Sequence, residues 1–472
     1  MKSQKISRRE MLCLATLTGA GIVLAGCAPA VAPAPTTQPS SSGATQAPAP
    51  TAAPASQEAQ TLTLWDWDET SLKYYQSQID RWNATNTGKP KLKFDGVLLP
   101  DSDGVVNKGL NALAANSGIP DCFQVEISLF SKFLRGKQPL AENYLVDMVN
   151  MLGVYNANWQ TDYIGFAPYT WQGKVYAFEN GLCPTGYYYR KDLFDKVGIS
   201  MPLETWDDWM AAGEKMKAAG HAMCAFDKTS LNEFIMEYYQ AGGQLFDKSG
   251  ELAVEEDRAY KALELVISAA KSGVRWATEA YWSGPHFAAL NDGTVAGVIS
   301  AIWFSPAVLK ANVKDSAGNW RVQPMPAWMK TPVWGGPNYD TRKTSTWGGT
   351  GMTIPRQSSH PQLTFDWMAF AMLTKEGASD LWKIMQQMPM VKSVIHDDSV
   401  TNIPDDFYGG QAINKVFADL ADQIPPKYPH PFWNEAEQSL NKIIAPALAG
   451  ENSYENLIKS AADEYRKTIA AE

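Results

Sequence analysis

Cysteine and histidine are scarce in this chain, and neither falls into a pattern. Five cysteines and five histidines occur in 472 residues. No Cys-x-x-Cys pair exists, and beyond Cys13 and Cys27 only Cys122, Cys183 and Cys224 remain. That odd set offers neither a zinc site nor a disulfide framework. The three are expected as small buried hydrophobes, with one disulfide pair left open. His221, His286, His360, His396 and His430 lack metal-ligand spacing, so no metal and no cofactor is expected. Runs of Lys or Arg are missing too, and the net charge is −9. An acidic chain without a basic stripe excludes nucleic acid as a partner and excludes a cationic membrane-binding face. The Gly-x-Ser-x-Gly elbow, the glycine-lysine phosphate loop and His-Glu-x-x-His are all absent, which removes the commonest hydrolase and phosphoryl-transfer signatures. Long apolar runs are missing as well: Leu12 to Ala25 is the candidate, and it is too short to span a bilayer.

What the chain does have is tryptophan, 17 of them, with 45% hydrophobic and 19% charged residues. Those fractions belong to a folded globular protein. At this length one ordinary core does not suffice, and two domains or one two-lobed body is expected.

The N-terminus reads as an address and a tether. Ser7-Arg8-Arg9-Glu10-Met11-Leu12 resembles a twin-arginine export signal, with Met11 where that pattern usually has Phe. Leu24-Ala25-Gly26-Cys27 resembles a lipobox, in which Cys27 becomes the lipidated first residue. Residues 1–26 are therefore expected to be a signal peptide, by the twin-arginine or the general secretory route. Residues 27–60 form a linker, with seven prolines and no charge before Glu58. Such a segment has nothing to bury. It would reach roughly 30 Å as a coil and up to about 100 Å as polyproline.

The body alternates strand and helix. Thr61–Trp67 reads as a strand, Leu72, Tyr75, Ile79 and Trp82 fall at helical spacing, and Lys91–Leu98 supplies a second strand. A helix from about Val105 to Asn116 leads to the apolar strand Cys122–Val125. This β-α-β-α-β start implies a mainly parallel sheet covered on both faces, with ligands beyond the carboxyl ends of its strands. Trp65, Trp67, Asp68 and Glu69 stand at one such end, and Glu126 at another. Thr205 and Asp208 have capping-box spacing. Val322-Gln323-Pro324-Met325-Pro326 reads as a stiff connection.

The order of YYYRKDLFDKVGI, MPLETWDDW, GGQLFDKSGELAV, LNDGTVAGVISAIW, VQPMP and WGGTGMTI resembles the solute-binding proteins of ABC importers, in the large sugar-binding family that includes the maltose-binding proteins. The resemblance implies an α/β type II periplasmic-binding-protein fold of two lobes with three crossings between them. The crossings are expected near Gly173–Phe178, Leu290–Ala296 and Trp347–Gly351. Lobe 1 is then residues 61–175 plus 294–346, and lobe 2 is residues 176–293 plus 347–472. It also implies an extracytoplasmic, lipid-anchored monomer that closes on a carbohydrate and hands it to permease subunits. Within the family's ligand range, polyamines, peptides, phosphate esters and iron are the alternatives, and a polyamine would suit acids flanked by aromatics.

A sugar ring offers C–H patches on its faces and hydroxyls around its edge. Indoles suit the faces and carboxylates the edge. By the resemblance Trp65 and Trp303 take ligand-contacting places. Trp67, Asp68, Glu69, Glu126, Trp347 and Gly348 are expected with them, and Glu179, Tyr187 and Trp282 complete the set. Trp206, Trp209, Trp367 and Trp382 read as core, and Trp433 is left open. Carboxylates beside tryptophans also build glycosidases, but no catalytic arrangement stands out, and the reading is a binding protein, not an enzyme.

Overall fold

The computed structural model describes residues 58–278, 281–329 and 341–471. The expected signal segment, most of the linker and Cys27 lie outside them. Ten strands matter here. In chain order they are β1 (Gln60–Asp66), β2 (Leu92–Leu98), β3 (Cys122–Glu126), β4 (Ala177–Glu179), β5 (Thr185–Arg190), β6 (Cys224–Asp227), β7 (Arg275–Thr278), β8 (Gly297–Ala301), β9 (Trp320–Pro324) and β10 (Thr350–Thr353).

The expected opening is present. β1 leads into helix α1 (Glu69–Thr85), which buries Tyr74, Tyr75, Ile79 and Trp82 at helical spacing. β1 pairs in parallel with β2 and β3. The sheet continues through β10, antiparallel to β3 and β4, giving the order β2-β1-β3-β10-β4.

A second sheet has the order β8-β5-β9, with β5 antiparallel to both neighbours. The parallel pair β6–β7 joins it through the bridge Ala222↔Val295, just before β6 and β8. Read across, the second sheet is β7-β6-β8-β5-β9. Both sheets thus have one layout: the first strand lies between the second and third, and an antiparallel strand is inserted before the last. The inserted strands are β5 and β10, and each follows a passage from the other lobe.

Those passages lie side by side. Residues 180–184 run from β4 to β5, and residues 345–349 run back to β10. They pair through Pro184↔Thr346 and through the Trp347 N–H donating to the Cys183 carbonyl at 3.3 Å. The third passage follows helix Lys375–Met385, where the Leu182 N–H donates to the Met388 carbonyl at 2.7 Å. Three neighbouring segments, without helix–helix locking, are what a hinge needs.

This corrects the expected partition. β8 and β9, inside 294–346, pair with β5 and belong with 176–293. β10, inside 347–472, pairs with β3 and β4 and belongs with 61–175. Leu290–Ala296 is no crossing: the helix Gly284–Asp292 ends at left-handed Gly293 and feeds β8 within the same lobe. The first crossing lies a few residues beyond Gly173–Phe178, because Phe178 is still in β4. The third expected position, Trp347–Gly351, falls on the return passage.

Two local readings have clear outcomes. Thr205 and Asp208 form the capping box at helix Trp206–Ala218. The stretch Val322–Pro324 is strand, not a connection, and β9 tolerates Pro324 because it is a sheet edge, where a missing N–H costs no ladder bond. Cys122, Cys183 and Cys224 are free and buried. Trp206, Trp209, Trp367, Trp382 and Trp433 are all core. No helix among the described residues is long and apolar enough to cross a membrane.

Candidate functional site

The loop after β1 is built by one buried carboxylate. Asp66 Oδ1 accepts from the backbone N–H groups of Trp67 at 2.6 Å and Asp68 at 2.9 Å, and Oδ2 accepts from Gln124 Nε2 at 2.7 Å. Burial pushes the Asp66 carboxyl up to about 7. The turn that results sends Trp67 outward and places Asp68 as the N-cap of α1, accepting from the Thr70 N–H at 2.9 Å and the Ser71 hydroxyl at 3.0 Å. The N-cap spends one face of that carboxylate on the helix.

Across the hinge, three indoles form a platform. Trp303 follows β8, Trp347 lies on the return passage, and Trp282 precedes helix Gly284–Asp292. Ring centroids are 5.1 Å apart for Trp303–Trp347, 5.6 Å for Trp282–Trp303 and 6.1 Å for Trp282–Trp347. The Trp303 indole N–H donates to the Trp347 carbonyl at 2.9 Å. Tyr281 meets Trp347 edge-on at 6.1 Å. Gly348, at φ +73°, lets the chain turn against the Trp303 ring, where a Cβ would stand 3.1 Å from Nε1.

Both parts face one cavity of about 620 Å³. From the first lobe it takes Trp67, Asp68, Ser71, Ser102, Gln124 and Glu126. Glu126 is pinned by Ser128, whose N–H donates at 2.8 Å and whose hydroxyl also bonds it. From the second lobe and the passages come the three indoles with Ala307, Asn180, Cys183, Gly348 and Gln387. Asn180 Oδ1 accepts from the Tyr75 hydroxyl at 2.6 Å, so the polar floor is tied to α1. Among the described residues no Lys or Arg lines it.

Seven of the expected residues meet here: Trp67, Asp68, Glu126, Trp282, Trp303, Trp347 and Gly348. Four do not. Trp65 is 5% exposed, packed in the first lobe's core with the Lys108 ammonium 4.0 Å from its ring centroid. Glu69 points to solvent and pairs with Lys73 at 2.9 Å, one helical turn on. Tyr187 is fully buried in the second lobe, its hydroxyl donating to the Met223 carbonyl at 3.0 Å. Glu179 lines a separate smaller cavity behind the passages, of about 280 Å³, and burial pushes its carboxyl up to about 8.

The pattern of the bacterial extracellular solute-binding proteins matches residues 79–407. This chain belongs to that family. Among curated relatives of this solute-binding protein, the arabinooligosaccharide-binding protein of Bacillus subtilis (strain 168) is 26% identical over 81% of this chain and 86% of its own length. The lactose-binding protein of Rhizobium radiobacter is 27% identical over 85% and 92%. Among solved structures, the sugar-binding protein MalE from Xanthomonas citri superposes with a TM-score of 0.70 at 17% identity, covering 87% of this chain and 98% of that one. The fold is the type II periplasmic-binding-protein fold.

Sequence reasoning missed Ser71, Ser102, Gln124, Asn180 and Gln387 in the solute-binding protein's cavity. Gln124 had a signal that went unused: a polar residue inside the otherwise apolar run Cys122–Val125 needs a buried partner, and that partner is Asp66.

Proposed function

We propose that the cavity binds a neutral oligosaccharide, held between the Trp67 side and the Trp282–Trp303–Trp347 platform as the two lobes close. The observation that carries this reading is the convergence of four indoles and two carboxylates, from both lobes, on one opening. Indole faces match the C–H faces of a sugar, and Asp68 and Glu126 match its hydroxyl edge. The described lining, carboxylates without a Lys or Arg, disfavours sugar acids and phosphate esters. A few hydrogen bonds to charged groups at roughly 1.5–3 kcal/mol each, with stacked rings, reach the ~8 kcal/mol of micromolar binding. The names of the arabinooligosaccharide- and lactose-binding relatives support the same ligand class. Closure selects the ligand through the higher affinity of the closed state, and the monomeric protein delivers it unaltered to ABC permease subunits.

Titration calorimetry against arabino-, galacto- and malto-oligosaccharides, with spermidine alongside, tests the reading. Binding of at least one neutral oligosaccharide, with a raised melting temperature, is expected. Stabilisation by spermidine alone would replace the sugar with a polyamine, and reducing ends released on incubation would make the protein an enzyme.

The anchor is proposed from the Leu24-Ala25-Gly26-Cys27 run and the proline-rich leash. Cys27→Ser should abolish acyl labelling and free the protein from the membrane fraction. Unchanged labelling would place the lipid on another residue, and an unlabelled wild type would remove the anchor.

A further inference from the structure

The outer plate of the platform has little packing to hold it. Trp282 is 51% exposed. Its position depends on the backbone of the residue before it, Tyr281, whose N–H and carbonyl are both held. The Tyr281 N–H donates to Asp227 Oδ2 at 3.3 Å, and the Tyr281 carbonyl lies 2.7 Å from His286 Nδ1. A carbonyl oxygen only accepts, so Nδ1 carries the imidazole proton. The other ring nitrogen, Nε2, is buried with no hydrogen-bond partner. Burial also lowers the His286 pKa, which favours the neutral ring.

Both gripping groups are themselves fixed. Asp227 Oδ1 accepts from the Thr229 N–H at 2.8 Å and its hydroxyl at 2.6 Å. His286 is fully buried near the start of helix Gly284–Asp292, its N–H 3.4 Å from the Ser283 hydroxyl that caps the helix. Its ring lies 4.6 Å from Tyr281 and 6.3 Å from Trp276, centroid to centroid. Neither Asp227 nor His286 lines the cavity.

We infer that Asp227 and His286 are positioning residues that clamp the Tyr281 backbone on both sides of its Cα and so hold Trp282 against Trp303 and Trp347. For ligand affinity the inference rests on the oligosaccharide reading of the cavity; for geometry it does not. Asp227→Asn is the sharpest probe, because it keeps the side chain's shape. If Oδ1 keeps the Thr229 partners, the new amide N–H faces the Tyr281 N–H, donor against donor. His286→Asn retains a donor near Nδ1, and His286→Ala removes it.

The experiment measures two things on each full-length variant. One is the exciton couplet of the stacked indoles in circular dichroism without ligand. The other is affinity by calorimetry for the oligosaccharide that the wild type binds. Asp227→Asn and His286→Ala should reduce the couplet to that of Trp282→Ala, in which the Trp303–Trp347 pair remains, and bind about tenfold more weakly, the scale of one lost buried hydrogen bond. His286→Asn should keep both. Adding Asp227→Asn to Trp282→Ala should weaken binding no further than Trp282→Ala alone, since the two act through one plate. An Asp227→Asn protein with wild-type couplet and affinity overturns the inference, as does an additive double variant. If the wild type takes no oligosaccharide, the functional reading falls, and the couplet still decides the clamp.

Discussion

The Trp303 indole N–H donates to the backbone carbonyl of Trp347 at 2.9 Å, tying the end of the second lobe's β8 to the passage that returns to the first lobe. One aromatic plate thus reaches the segment whose φ/ψ must change when the lobes move. Trp303→Phe keeps a flat ring and deletes the donor, leaving the Trp347 carbonyl short of a partner. The loss should cost about 1 kcal/mol, or five- to tenfold in oligosaccharide affinity. Calorimetry on the variant checks it, and wild-type affinity would mean the bond does not shape the site.

Gly348 sits on the same passage at φ +73°, where an added Cβ stands 3.1 Å from Trp303 Nε1. Gly348→Ala should therefore destabilise the protein by about 1–2 kcal/mol from the left-handed backbone and displace the Trp303 ring. A lowered melting temperature together with weaker binding is expected. A variant that melts normally would show that the passage relaxes freely.

Glu179 predicts a pH dependence. Its carboxyl is pushed from 4.5 up to about 8, by burial first and against the nearby Lys427 ammonium. Between those values the folded protein holds a proton that the unfolded chain releases. Its contribution to stability is then full below pH 4.5, falls as pH rises, and is gone above about pH 8. Glu179→Gln stays neutral throughout. The two proteins should melt alike near pH 5, and the variant should melt higher near pH 8. Parallel melting curves across that range would show that Glu179 ionises as an ordinary carboxyl.

Trp65 behaves as core. Trp65→Ala should cost about 3–5 kcal/mol in urea unfolding, the range for deleting a large buried ring. Trp65→Phe should bind oligosaccharide at wild-type affinity. Weakened binding in a stable Trp65→Phe protein would return this residue to the site.

The error at Trp65 has a physical origin. Successive side chains of a strand point to opposite faces, and a half-buried strand reveals which face is which. Only the carboxyl end of β1 is covered on both sides, where Leu64, Trp65 and Asp66 are all buried in succession. The local pattern thus carries no sign of where Trp65 points. The role of Asp66 is equally invisible locally: its hydrogen bonds to Trp67, Asp68 and Gln124 make it the residue that shapes the loop. Tyr187 failed alike, because β5 is buried throughout. Trp303 and Trp347, which follow or precede strands through residues whose order resembles the family's, both line the cavity.

Local order alone determined the first βαβαβ unit, the Thr205–Asp208 capping box and the presence of aromatic, acidic loops at strand ends, since helix periodicity and caps are properties of neighbouring residues. Which lobe owns β8, β9 and β10 was decided only in the folded chain. Strand pairing joins residues more than a hundred positions apart, and no local pattern records the partner. The same holds for the platform: Trp282, Trp303 and Trp347 become one surface only because the passages bring their backbones to one opening.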